Sequence, residues 1–234
     1  MRSLLFWLSF PFLIPQALYV RQTAPRFAPA SGPTTGAVGD GETVRLLAIG
    51  DSIIAGVGAS ELSKALVGQT ARALSQQIDG QVTWQALGTS GFDCRKVLDI
   101  LVPQLPDEPF DYVIVSVGVN DITGLTFLPT WRRNLSTLVE TLRKHSPNAV
   151  IAVAGMPPMH GFPLLPQPLR AVFGSRARAF DDATREIVSP RDGMLYIPLH
   201  FDPDPSKFSP DGYHPSEESY VEYGAEVAER LVSA

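Results

Sequence analysis

The sequence has one cysteine, Cys94, among 234 residues, so no disulfide can form within the chain. Cysteine content therefore neither requires an oxidising compartment nor argues against one. Basic charge is scarce as well. With 19 Lys and Arg against 24 Asp and Glu, a formal net charge of −5 and no basic stripe, the chain lacks the clustered cations that displace counterions from phosphate, so no nucleic-acid partner is expected. Internal repeats and low-complexity tracts are also absent. What is present is an ordinary globular balance, 44% hydrophobic and 18% charged, on a length that suits a single hydrophobic core plus a short extension.

The extension is at the N-terminus. Arg2 precedes an uncharged, largely apolar run from Ser3 to Val20 that ends at Arg21. As a helix this run would reach roughly 27 Å, just short of the roughly 30 Å hydrocarbon core of a bilayer. Pro11 and Pro15 work against any regular helix there, because each removes a backbone donor. Residues 1–21 fit three arrangements: an uncleaved membrane-associated anchor, a secretory signal with Ala28-Pro29-Ala30 as its exit, or an apolar arm packed on the domain itself. The first two favour the cell envelope, with peripheral membrane contact through residues 3–20, and the third permits a cytoplasmic protein. Residues 22–43, with Pro25, Pro29 and Pro33 among Gly and Ala, are expected to be an extended, weakly ordered linker. Residues 44–234 then form the domain.

Within that domain, short apolar runs at 45–49, 82–87, 112–117, 149–154 and 194–199 alternate with stretches of helical periodicity at about 60–78, 94–104, 129–145, 170–188 and 216–232. Runs that are apolar throughout suit strands covered on both faces, and each is followed by enough chain for a crossover helix. The expected class is α/β, a three-layer αβα, flavodoxin-like, doubly wound domain on a parallel five-stranded sheet of order 2-1-3-4-5.

Four motifs fall where the strands run out. Ile49-Gly50-Asp51-Ser52 ends the first strand, where glycine permits a tight turn and a following helix would direct its positive end at Ser52. Taken alone it reads as well as a helix cap. Val117-Gly118-Val119-Asn120-Asp121 ends the third strand, and in the expected order the first and third strands flank the switch-point crevice, so Ser52 and Asn120 face one another across it. Ala86-Leu87-Gly88-Thr89-Ser90-Gly91 follows the second strand. Ser209-Pro210-Asp211-Gly212-Tyr213-His214-Pro215 precedes the last helix, where Asp211 can fix the His214 tautomer while the other ring nitrogen reaches Ser52. His145, His160 and His200 lack such a context and read as surface or loop residues.

Together, in content and order, these segments resemble the four sequence blocks of the GDSL/SGNH hydrolase family, a resemblance covering residues 45–232. It implies a serine ester hydrolase acting on a small-molecule ester, with Ser52 as nucleophile and Asp211 and His214 completing a triad. The oxyanion hole would comprise the N–H groups of Ser52 and Gly91 and the side chain of Asn120. It adds no metal and no cofactor. The second block departs from the pattern, since many relatives open it with Asn where this chain has Ala86. Thioesterase, lysophospholipase and carbohydrate deacetylase activities share the same machinery. A flavodoxin-type phosphate- or nucleotide-binding module, cradling its ligand at Gly50 to Gly58, would leave Asp211 and His214 unexplained.

Substrate contacts are sought in the apolar loop from Gly155 to Gly174, whose Met156, Met159, Phe162 and Leu165 suit either an acyl or aryl wall or a satellite core. Phe127 and Trp131, just past Asn120, are further candidates. Cys94 reads as a small buried apolar residue. Oligomeric state is not legible.

Overall fold

A computed structural model describes residues 6, 7, 10–25, 27–199 and 204–234. Its centre is a sheet of strands β1 (Thr35–Val38), β2 (Thr43–Gly50), β3 (Gln81–Gly88), β4 (Tyr112–Ser116), β5 (Val150–Ala154) and β6 (Met194–Ile197), in the order β1-β3-β2-β4-β5-β6. Strands β2 to β6 pair in parallel and reproduce the expected order. The sixth strand is the difference. Strand β1 runs antiparallel along β3, with Thr35 opposite Gln85 and Val38 opposite Val82, so part of the expected linker belongs to the sheet. Without β1, the outer edge of β3 would leave its ladder groups unpaired, and a short Gly- and Thr-containing segment covers them.

Alternate residues of each central strand enter different cores, which is why the runs are apolar throughout. Leu47, Ile49, Val113, Val115, Ile151 and Val153 face one side, with Trp131 and Leu135 of helix α5 (Leu128–His145) and Phe180 of α6 (Leu169–Val188). Leu46, Ala48, Ile114 and Ala152 face the other, with Leu66 and Leu74 of α2 (Leu66–Ile78) and Tyr220 and Val227 of α7 (Glu217–Val232). The three layers are thus helices, sheet and helices.

Two expected helices are altered. The first starts only at Leu66, after a 3-10 turn at Leu62–Lys64, because Ala65 is extended with ψ 179°. The second breaks into α3 (Cys94–Lys96), a π turn at Val97–Leu101 and a 3-10 turn at Val102–Gln104 that contains Pro103. The break is consistent with a proline that cannot donate to the preceding turn.

Before the sheet, a 3-10 turn (Phe10–Leu13) and helix α1 (Ile14–Thr23) lie against the domain. Phe6 and Leu13 are buried in the first core, with Trp7, Phe10, Ala17 and Val20 packed partly against it. Gln16 adds polar ties: its Nε2 donates to Gln167 O at 2.8 Å, and its Oε1 accepts from Leu169 N–H at 3.1 Å. The described residues of the leader thus lie against the domain. No helix among the described residues is long and apolar enough to cross a membrane.

Candidate active site

Ser52 sits two residues past the end of β2. Gly50 is required there because a Cβ would come within 1.9 Å of Ser116 O on the neighbouring strand. The chain then turns on local hydrogen bonds. Asp51 N–H donates to Ser116 O at 3.0 Å, Ala55 N–H to Asp51 O at 3.0 Å, and Ile53 N–H to the Asp51 carboxylate at 3.1 Å. Residues 51–58 form turns and no regular helix, which corrects the expectation of a helix dipole aimed at Ser52. Any negative charge forming there must be met by individual donors.

The base and its partner arrive on the turn before α7. Ser209 Oγ, Tyr213 N–H and His214 N–H all donate to Asp211 Oδ1 at 2.8–2.9 Å, and Ser209 N–H closes the turn on His214 O at 2.8 Å. The other oxygen, Oδ2, lies 2.6 Å from His214 Nδ1, and His214 Nε2 lies 2.9 Å from Ser52 Oγ. Burial alone would raise the Asp211 pKa, but the hydrogen bonds from the His214 ring and N–H and from Ser209 outweigh it and hold it at about 2. A carboxylate that stays ionised keeps the Nδ1 proton in place, which leaves Nε2 to accept from Ser52.

Donors lie on the other flank. Thr89 N–H donates to Gly50 O at 3.2 Å, which ties the loop after β3 to the end of Ser52's own strand. Gly91 has φ +82° and open space where a Cβ would stand. Among the described residues, neither Ser52 N–H nor Gly91 N–H makes a hydrogen bond. Asn120 stands in the first turn of α4 (Val119–Thr123), and its Nδ2 donates to Phe92 O at 2.9 Å, which anchors the amide beside Gly91 and leaves its second N–H over.

Against this geometry, a model of the GDSL-like lipase/acylhydrolase family matches residues 48–221. The chain belongs to this family. A GDSL-like esterase of Mycobacterium tuberculosis is 27% identical over 187 residues, or 76% of this chain and 58% of that relative, so the chain spans less than two thirds of its length. Among solved structures, a family 3 carbohydrate esterase of Clostridium thermocellum has a TM-score of 0.63 at 19% identity, covering 80% of this chain and 94% of that one. A lipase/acylhydrolase of Enterococcus faecalis has a TM-score of 0.58 at 19% identity, covering 81% and 96%. At these identities the structures speak for the fold.

In this GDSL-family chain the cleft at Ser52 and His214 is walled by Val117, Val119, Pro157, Phe162, Leu199 and Tyr213, with a cavity of about 40 Å³. Of the loop residues singled out by sequence, only Phe162 reaches it. Trp131, Met156, Met159 and Leu165 are buried in the first core, which corrects their assignment to the substrate pocket. Phe127 is 59% exposed and stacks on Trp7 at 4.9 Å instead. The loop from Gly155 is thus mainly a satellite core, since apolar side chains near the sheet bury more surface inward than in a narrow cleft. Tyr213 was missed although it lies inside the Asp-x-x-His motif; its place between the two catalytic candidates was the available signal.

Other groups take structural roles. His145 Nε2 lies 2.6 Å from Pro106 O and its ring stacks on Phe110. His160 lies in a 3-10 turn against Gly174, and His200 is outside the described residues. Cys94 is buried, and burial together with Asp121 pushes its thiol well above its usual range, as its apolar reading expects. Asp51, 2% exposed, is raised to about 7, chiefly by burial and against the pull of Ile53 N–H and His214.

Proposed function

We propose that the chain is a carboxylic-ester hydrolase that works through an acyl-enzyme on Ser52. The observation that carries this is the relay in which His214 stands 2.9 Å from Ser52 Oγ and 2.6 Å from Asp211 Oδ2. His214 takes the proton of Ser52 as its oxygen attacks the ester carbonyl, Asp211 holds the resulting imidazolium, and His214 returns the proton to the departing alkoxide. Water, activated by the same imidazole, then releases the acid. The oxyanion of each tetrahedral intermediate is held by the uncommitted N–H groups of Ser52 and Gly91 and the second N–H of Asn120.

The substrate class is small acyl or aryl esters. Val117, Val119, Pro157, Phe162 and Leu199 give the cleft an apolar wall beside Ser52, which suits the acyl or aryl part of such an ester. Carbohydrate deacetylation is the second reading. It is favoured by the likeness of the fold to a family 3 carbohydrate esterase. The test is fluorophosphonate labelling with mass-spectrometric site mapping, followed by a chain-length series of nitrophenyl esters. The proposal expects label on Ser52 and a higher kcat/KM for short- to medium-chain esters than for long-chain ones. Label elsewhere, or Ser52→Ala retaining activity, would overturn it.

A further inference from the structure

The N-terminal arm and the Asn120 turn meet at one buried cation. Arg176 of α6 is 3% exposed, and among the described residues no carboxylate stands within ion-pair distance of its guanidinium. Its Nε donates to Ile122 O at 3.2 Å, and its Nη2 donates to Thr126 O. Ile122 lies in α4 two residues past Asn120, and Thr126 closes the turn after it, with its own N–H on Asp121 O at 2.9 Å. Arg176 therefore grips carbonyls at the C-terminal end of the element that carries Asn120, where a helix leaves acceptors unmet and favours positive charge.

Aromatic rings close the other sides. The guanidinium carbon lies 4.4 Å from the Phe6 ring centre, 5.4 Å from Trp7 and 4.9 Å from Phe180, all within cation–π range. Trp7 also stacks at 4.9 Å on Phe127, the residue after Thr126. The arm so holds the turn twice, through Arg176 and through Phe127. Asp121, between Asn120 and Ile122, is buried and accepts Cys94 N–H at 2.8 Å. Burial lowers the Arg176 pKa to about 10, in keeping with a charge kept from water.

We propose that Phe6, Trp7 and Arg176 are positioning residues for the oxyanion side of the site: the arm seals Arg176 from water so that its N–H groups stay on Ile122 and Thr126 and hold Asn120 in place. Without the two rings, water competes for the guanidinium and α4 gains freedom. This rests on the reading of Asn120 as an oxyanion donor.

The test is a double-mutant cycle on the full chain. Phe6→Ala/Trp7→Ala together, Arg176→Met and Arg176→Lys are each made in the wild type and in Asn120→Ala, and kcat and KM are measured for a nitrophenyl acetate well below the melting temperature. In the wild type, the arm pair and Arg176→Met are expected to lower kcat about tenfold with KM little changed, since small misplacements at a site cost rate more than binding. Arg176→Lys should recover part of the loss. In Asn120→Ala the same changes should leave the remaining kcat unaltered, because the group they position is gone. Equal losses in both backgrounds, or an unchanged kcat for the arm pair, would overturn the proposal. If Arg176→Met does not fold, the arm pair decides alone. An Asn120→Ala enzyme with wild-type kcat would instead sink the oxyanion reading, which labelling of Ser52 leaves untouched.

Discussion

Two segments above the carboxyl end of the sheet invite comparison, the turn from Ser209 to His214 and the loop from Gly155 to Pro168. The turn is polar and its directions are set locally, with Ser209, Tyr213 and His214 all donating to one oxygen of Asp211. The loop is apolar, and its Met159, Phe162 and Leu165 are buried within a core shared with α5 and α6. They meet where Phe162 packs edge-on against Tyr213 at 5.0 Å and Leu164 N–H donates to Gly212 O at 3.2 Å. The loop thus acts as a wall behind the turn. Residues that bear chemistry carry their geometry in short-range hydrogen bonds, whereas apolar residues go where volume is to be filled, and proximity to a site in sequence does not make them part of it.

The comparison is broken most severely at the turn. Asp211→Asn keeps the shape and leaves no carboxylate to hold the Nδ1 proton, so kcat should fall by about 10⁴ with the fold intact, as for a wrong tautomer in a serine triad. Circular dichroism and ester kinetics check this together. A loss below tenfold would mean that the turn holds His214 without help from charge.

At the loop the expected effect is smaller and of another kind. Met159→Ala, at a position with 0% exposure, should cost about 2–5 kcal/mol of stability and leave kcat/KM for an acetate ester within a few-fold. Phe162→Ala touches both regions, since that ring also walls the cleft, and it should extend the accepted acyl chain as well as lower stability. Urea unfolding and the nitrophenyl ester series separate the two. A chain-length shift in Met159→Ala would return that residue to the pocket.

The legibility of the sequence followed the same division. Ser52, Asp211 and His214 could be placed because Gly50 fixes a turn and the Asp-x-x-His spacing fixes two side chains within one turn. The five parallel strands were legible because Leu46 to Ile49 and Val113 to Val115 are apolar on both faces. Strand β1 was not, since Thr35 to Val38 pairs only because a distant edge, β3, stands open. Nor did periodicity show that the chain after Ser52 turns without becoming a helix, or that Phe6 and Trp7 close over Arg176, a contact between residues far apart in the chain. Trp131 and Met156 were ambiguous for a plainer reason: a buried apolar residue and a substrate-contacting one have the same chemistry.

The smallest expected effect compares the two carboxylates near His214. Asp211, held at about 2, contributes stability that is present above its unfolded pKa of about 3.9 and is lost as pH falls toward 2. Asp51, raised to about 7 by burial, works in the opposite sense. Its native state keeps a proton that the unfolded chain releases near pH 3.9, so its contribution is complete below about pH 4 and is lost as pH rises to about 7. Asp51→Asn is neutral at every pH and leaves Oδ1 to accept from Ile53 N–H, so the fall in melting temperature between pH 4 and 7 should become shallower than in the wild type. Asp121, raised to about 6 chiefly by burial, retains part of that slope. An unchanged pH dependence of melting in Asp51→Asn would show that Asp51 is ionised in the native state across this range, with its charge met by the polar groups around Ser52.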